Sequence, residues 1–361
     1  MRVHPTQIIP GCIITRDVIG KTNRPLVPKN TVVQDIHIKV LQKFMVPHVE
    51  VGPKLSSGDP FFPEYPMEEA ETAQKAEMVT EVSFTEKYLQ AVKDYRKWFN
   101  NWQGGAPVDI QQIRDRIMPL LEFAKGSKKD IFQLHHFSTK NDYLFHHSVA
   151  VSVIAAFLGE KLKLSHGACI QLGLAGLLSD CGMAKVDKRL HFKQEPLSEE
   201  EYKEVKRHPT YSYRMIENTT ALSHGAKLGI LQHHERLDGS GYPLGSKGKK
   251  IHQFAKIIAV SDMYHAMTSE RPYRKKQSPF KVLEEMIQAQ FGQFELTVVQ
   301  MFIDSMTNYS TGTKVKLSDG QTAEIIFVES AQPTRPMVRL ENNDIIQLKE
   351  FQDIFIEEIL D

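Results

Sequence analysis

The sequence predicts a mainly α protein: a helical bundle with a small N-terminal α/β or β-rich module and a small C-terminal β-barrel-like module. Three observations predict it. Between about Val79 and Asn308, apolar residues recur at spacings of three and four, the pattern of helices with one buried face. Residues 1–51 instead alternate short β-type runs with turn signals. Residues 311–361 alternate apolar and polar positions around an Asp319-Gly320 turn.

Taken in order, residues 1–51 hold the β-type runs Cys12–Thr15, Thr31–Val33 and His48–Val51. They also hold turn signals at Pro10-Gly11 and Gly20–Pro25, and one amphipathic helix over about Ile36–Phe44. Residues 52–78 read as a linker, rich in Pro, Gly and acids. The helical domain is expected over 79–310, with Leu120, Leu121, Phe132, Val149, Val153, Phe157 and Leu162 among its core. Gly167–Leu178 is apolar nearly all round, which marks a buried central helix. In 311–361, TGTKVKLSDGQTAEIIFVES gives a hairpin, followed by strands over Met337–Leu340 and Ile345–Leu348.

A chain of 361 residues exceeds the usual size of one core, so two or three domains are expected. With 41% hydrophobic and 25% charged residues and a net charge of +1, nothing draws it globally to DNA, RNA or an anionic membrane. A local basic pocket for a small anion stays open. The three cysteines, Cys12, Cys169 and Cys181, form no CxxC pair, which argues against a disulfide framework or a zinc ribbon. The N-terminal residues do not read as a signal peptide, and no stretch approaches roughly 20 consecutive apolar residues. A cytoplasmic protein without a membrane span is the expectation.

The chemistry is concentrated in histidines and acids of the helical stretch: His146-His147, Ser179-Asp180, His208, His233-His234 and Asp262. Hydrolysing a phosphodiester near neutral pH needs a stronger nucleophile than water and neutralisation of the phosphoryl oxygens. Neutral imidazoles plus a bridging carboxylate hold the divalent ions that do both. Asp180 ends an apolar helix and Asp262 follows the apolar run Ile257–Val260, and a buried charge there is costly without a cation. Plainer readings exist for each residue. His208, before a proline, is more often a helix-end or surface histidine; His135-His136 and His191 read as solvated; Cys181 reads as core. Arg236 and Asp238 read as a surface pair flanking a glycine-rich turn. His146 and His147 are about 100° apart on a helix, so one of them faces any site.

The segment HHERLDGSGYPLG, His233 to Gly245, and the run AVSDMYHAMTSERPYR, Ala259 to Arg274, resemble the HD-GYP family of cyclic dinucleotide phosphodiesterases. The match spans about Asp142 to Asn308. The resemblance implies a helical HD-domain bundle, two divalent transition metals (iron or manganese) and hydrolysis of cyclic di-GMP. It implies His147, Asp180, His208, His233, His234 and Asp262 as metal ligands, with Asp180 bridging and catalytic; Lys185, two residues beyond the family's lysine position, is counted with it as a candidate to take that lysine's place. Arg236, Asp238, Gly241, Tyr242 and Pro243 would shape the substrate pocket, Tyr242 packing on the nucleotide. Arg271 and Arg274 would meet phosphate.

This chain departs from the family pattern in places. Ser179-Asp180 stands where the family has His-Asp, Met183 where a lysine is expected, and His265 where an acid is common. Tyr143 stands where trinuclear members have Glu, so two metals are expected. A hydroxyl is a far poorer ligand than imidazole. One good and one weak metal position follow, the weak one keeping His147, Asp180 and Asp262 unless His146, His265 or water fills the gap. Two functions follow from this: an impaired cyclic di-GMP phosphodiesterase, or an inactive module that binds the nucleotide or a protein partner as sensor or scaffold. A homodimer or a signalling-protein partner fits either.

Overall fold

The computed structural model describes residues 1–19, 25–63, 83–125, 128–191, 193, 195–270, 276–289, 292–329 and 331–360. The N-terminal module contains β1 (Arg2–Val3), β2 (Cys12–Ile14), β3 (Val18–Ile19), β4 (Pro25–Val27), α1 (Asp35–Lys43) and β5 (Val49–Leu55). Its antiparallel sheet runs β1-β5-β2, with β3 and β4 paired separately. Val3, Ile14, Leu41, Val49 and Val51 form a core of their own, joined by Phe61. The expected linker start at residue 52 therefore falls inside a strand. Gly52-Pro53 reads as a break, yet β1 pairs only as far as Glu50 and Val49, so the missing proline N–H removes no bond to β1. Residues 64–82, the rest of that expected linker, lie outside the described residues.

The helical part begins at α2 (Phe84–Gln103), whose N-cap Ser83 and Glu86 exchange side chain to backbone hydrogen bonds as a capping box. It continues through α3 (Ile110–Phe123), α4 (Lys128–Gln133), α5 (Tyr143–Lys161), α6 (His166–Leu178) and α7 (Lys188–His191). Then come α8 (Glu199–Val205), α9 (His208–Ile216), α10 (His224–Gln232), α11 (Gln253–Thr268), α12 (Pro279–Ala289) and α13 (Leu296–Met306). One core unites Tyr88, Phe99, Ile154, Leu174, Val260 and Phe302, with α5 and α6 at its centre. The stretches Tyr143–Lys161 and His166–Lys185 are long and apolar enough to cross a membrane by length and composition alone, which corrects the expectation that no such stretch exists. Most of each is buried among the other helices.

The C-terminal module is a five-stranded antiparallel sheet of β6 (Lys314–Leu317), β7 (Thr322–Phe327), β8 (Met337–Leu340), β9 (Ile345–Gln347) and β10 (Ile356–Leu360). The order is β10-β6-β7-β8-β9. A closed barrel would need β9 and β10 to pair, and among the described residues they stand at opposite edges. Phe280 of α12 enters this module's core beside Val315, Ile325 and Val338. Arg335 anchors the last segment to α12, its guanidinium facing the Glu284 carboxylate and donating to the Phe351 and Ile354 carbonyls.

Candidate metal centre

Three helix ends and two helix faces meet at the centre of the bundle. Asp180 follows the C-cap Ser179 of α6, where the chain tightens into a 3-10 turn over Cys181–Lys185. His208 opens α9, with Pro209 in its first turn, where a missing N–H costs no helical bond. His233 caps the C-terminus of α10 and His234 follows it. His147 lies on α5 and Asp262 on α11.

The turn after Asp180 can approach α9 because position 182 is glycine. A Cβ on Gly182 would overlap the His208 carbonyl and the Ser212 backbone nitrogen and lie 2.8 Å from Ser212 Oγ. Instead Gly182 N–H donates to Ser212 Oγ at 2.7 Å, and Ser212 Oγ donates to the Ser179 carbonyl at 2.6 Å.

His208 Nε2 lies 3.1 Å and His233 Nε2 3.4 Å from Asp180 Oδ1. The two Nε2 atoms are 3.3 Å apart. His208 Nδ1 donates to the Val205 carbonyl and His233 Nδ1 to the Ile230 carbonyl, each at 2.7 Å. A carbonyl only accepts, so both protons sit on Nδ1 and each Nε2 points a lone pair inward when the ring is neutral. One donor atom each from Asp180, His208, His233 and His234 falls within 4.8 Å of all the others. Acceptors this close in a buried site call for a cation among them, so the residues present fit a divalent metal.

The charges agree. Burial alone would raise the Asp180 carboxyl, but the His208 and His233 rings set against it, with His147 nearby, hold it well below the usual carboxylate range. Burial would likewise raise Asp262, and the His147 hydrogen bond and nearby His234 hold it below that range. Burial, then neighbouring His233, pushes His234 well down, leaving it neutral.

The second side is poorer. His147 Nε2 is 2.9 Å from Asp262 Oδ1 and 3.6 Å from Asp180 Oδ2. Its Nδ1 faces Tyr143 Oη and His265 Nδ1, each at 3.1 Å. His265 is fully buried, with Ser269 Oγ 3.2 Å from its Nε2. It supports His147 from behind. His146 points elsewhere: Nε2 reaches the Ser56 carbonyl at 2.8 Å and Nδ1 the Tyr88 hydroxyl at 3.2 Å. Ser179 is buried, and its hydroxyl donates back to the Gly176 carbonyl at 2.9 Å. An α-helical C-cap hydroxyl is satisfied most cheaply by its own helix.

The Gly241-Tyr242-Pro243 turn folds over these histidines. A Cβ on Gly241 would overlap the His234 carbonyl and the Arg236 nitrogen. The Tyr242 ring lies 4.7 Å from the His234 ring, tilted by 32°. Lys206 Nζ lies 5.3 Å from the centre of the Tyr242 ring. Buried Glu235 clamps the turn, its two oxygens accepting from Leu244 N at 2.7 Å and Ser246 N at 2.9 Å.

Thus His147, Asp180, His208, His233, His234 and Asp262 come together. Lys185 instead donates to the Trp102 carbonyl at 2.7 Å, which satisfies the C-terminal end of α2. Arg236 donates to the Glu235 carbonyl at 3.0 Å and stacks over Phe294. Asp238 accepts from Ser240 N and Oγ, shaping the loop. Arg271 and Arg274 lie outside the described residues. His208 is buried rather than at the surface, and His135 is only 8% exposed rather than solvated. His191 is half-buried, its Nε2 bonded to the Met183 carbonyl at 3.0 Å. Glu235 and Gly182 escaped sequence reasoning; Glu235 is one of two acids, with Asp238, in the segment His233 to Gly245.

Comparison with known proteins agrees with this arrangement. Residues 134–294 match the family described as HD domain. The chain is 29% identical over 242 residues to the cyclic di-GMP phosphodiesterase PA4108 of Pseudomonas aeruginosa, covering 67% of this chain and 58% of that protein. It is 28% identical over 211 residues to the cyclic di-GMP phosphodiesterase PdeB of Borreliella burgdorferi, covering 58% and 55%. The chain thus spans less than two thirds of the length of these relatives. Bd1817 of Bdellovibrio bacteriovorus, an HDG"Y"P protein, shares the fold at a TM-score of 0.51 and 13% identity, over 84% of this chain and 97% of that one. The HD-domain match runs from before His147 to beyond Asp262 and takes in the Gly241-Tyr242-Pro243 turn, so the residues that form the centre lie within the part of the chain that is similar to the HD domain.

Proposed function

We propose that this chain is a metal-dependent phosphodiesterase that hydrolyses cyclic di-GMP, impaired by serine at position 179. The observation that carries the reading is the inward lone pairs of His208 and His233 beside Asp180 and His234. Those four residues would hold one metal; His147, Asp180 and Asp262 would hold a second, weaker one, iron or manganese being the expected ions. Bound there, divalent ions acidify a water and neutralise phosphoryl charge. The chain's own groups do the rest. Asp262 Oδ1 and His147 Nε2, 2.9 Å apart, stand together as the donor pair of the second position. Tyr242 and Lys206 border the centre, offering a face to a base and a charge to a phosphate. Arg236, Asp238, Gly241 and Pro243 shape that wall through the loop itself. Arg271 and Arg274 are proposed phosphate ligands on sequence grounds. A cytoplasmic site of action suits the three free cysteines.

A second reading, a module that binds cyclic di-GMP without hydrolysis, is favoured by the Ser179 hydroxyl turned onto Gly176 and by Lys185 held on Trp102. Purified chain loaded anaerobically with manganese or iron separates the two. Conversion of cyclic di-GMP to linear dinucleotide or GMP supports the enzyme. Calorimetric binding without turnover supports the sensor, and absence of both overturns the two together. The 3′3′-cGAMP-specific phosphodiesterase 1 of Vibrio cholerae is 35% identical over 150 residues, covering 41% of this chain and 34% of that protein, so 3′3′-cGAMP belongs in the same assay.

A further inference from the structure

A cleft of about 620 Å³ opens where the three modules meet, away from the metal centre. Pro28–Thr31 of the N-terminal module form one wall, His135, His136 and residues 276–281 a second, and Phe355–Ile359 with Lys316 the third. Its size falls inside the roughly 300–1,000 Å³ of small-ligand sites. We infer that this cleft is a second ligand site, for a phosphate-bearing planar molecule of the nucleotide class. The inference does not depend on the activity of the metal centre.

Charge is the first argument. Lys29, Lys276, Lys281 and Lys316 line the cleft against Glu357 and Glu358. Lys316 is neutralised by Glu357 at 3.1 Å. Among the described residues, no carboxylate stands within ion-pair distance of Lys276 or Lys281. The Glu358 carboxyl is raised by burial first and drawn back by Lys316 and Lys276, so it offsets them in part. Ammonium groups gathered on low-dielectric walls focus a positive field, and their natural guest is an anion.

The second argument is the apolar floor. Phe132 and Phe280 stack with centroids 5.3 Å apart, and the His135 and His136 rings lie 4.0 Å apart beside them. Lys281 Nζ is 5.6 Å from the Phe355 ring centre, which places charge beside an aromatic face. Such a floor suits a flat heterocycle.

The third argument is the pair of imidazoles on the wall. His135 lines the cleft beside His136 and is 8% exposed. Burial, then His136 and Lys276, keeps His135 well below its ordinary range, and burial pushes His136 down to about 3. Both rings are therefore neutral hydrogen-bonding surfaces.

The test is equilibrium dialysis of the full, metal-stripped chain against GMP, guanosine and inorganic pyrophosphate. A single GMP per chain is expected, held about tenfold more tightly than either guanosine or pyrophosphate. The pair Lys276→Gln and Lys281→Gln should weaken GMP about tenfold. His234→Ala, in the metal centre, should leave GMP binding as it was. In the unaltered chain, bound GMP should shield Lys276 and Lys281 from acetylation, which covers the case of a variant that fails to fold. Loss of binding in His234→Ala with retention in the lysine variant overturns the inference, as does unchanged acetylation at saturating GMP. Pyrophosphate bound as tightly as GMP overturns the nucleotide assignment.

Discussion

Replacing Gly182 by alanine tests whether the metal centre depends on the close approach of two backbones. The new Cβ would lie 2.8 Å from Ser212 Oγ and nearer still to the His208 carbonyl and Ser212 nitrogen. Ordinary contact needs about 3.5 Å, so the first turn of α9 must retreat by about 1 Å. That retreat breaks the Gly182 N–H to Ser212 Oγ bond and strains the Ser212 to Ser179 bond, both buried. Overpacking of this kind costs about 1–3 kcal/mol and each unmet buried group about 1–3 kcal/mol more. A total of about 2–5 kcal/mol is expected in denaturant unfolding. The same movement lengthens the 3.1 Å approach of His208 to Asp180, and a 1 Å misplacement costs about 100-fold in rate. Metal content by mass spectrometry, turnover and unfolding are the three readouts. Gly167→Ala is the control: a Cβ there meets nothing within 4 Å, so stability should hold or rise by about 0.4–1 kcal/mol. If Gly182→Ala unfolds within about 0.5 kcal/mol of the parent and keeps its metal, the close-approach argument is wrong.

Other outcomes follow from the same geometry. Ser179→His should raise bound metal per chain and turnover by about 10-fold or more, read by metal analysis and product formation; no gain in metal would show that the serine is not what limits the centre. Glu235→Gln keeps the shape but sets an amide N–H against the Leu244 or Ser246 N–H. It should cost about 1–3 kcal/mol and weaken substrate binding while metal content stays level. Buried neutral His135 and His136 hold fewer protons than the unfolded chain once pH drops below about 6.5, so stability falls as the medium is acidified from there toward about 3. The slope should reach about 1.4 kcal/mol per pH unit for each ring, and His136→Gln should flatten it in unfolding measured against pH.

Much of the centre could be read from residue order. Asp180 and Asp262 stand out because they end apolar runs, and His233-His234 because they precede a turn rich in glycine and proline. Spacing also told that His146 and His147 face different ways, though not that His146 would meet Ser56 of another module. What stayed hidden depends on where side chains are satisfied. Lys185 reads as chemistry until the open carbonyl of Trp102 claims it, and Arg236 until Phe294 lies beneath it. His135 reads as solvated because nothing local shows that its short turn will pack against α11. The strand Val49–Leu55 runs on through Pro53 because its partner β1 has already ended, a fact of pairing rather than of sequence.

Ser56 grips α5 twice, its carbonyl held by His146 and its hydroxyl donating to Asp142 at 3.3 Å. The next residue along is His147, the lone imidazole on the ligand-poor side. A peptide bond joins the two, so a rocking of the N-terminal module against the bundle would tug one imidazole and carry its neighbour's backbone along. The half of the centre with the fewest ligands to steady it is thus moored to a part of the chain that supplies none of them.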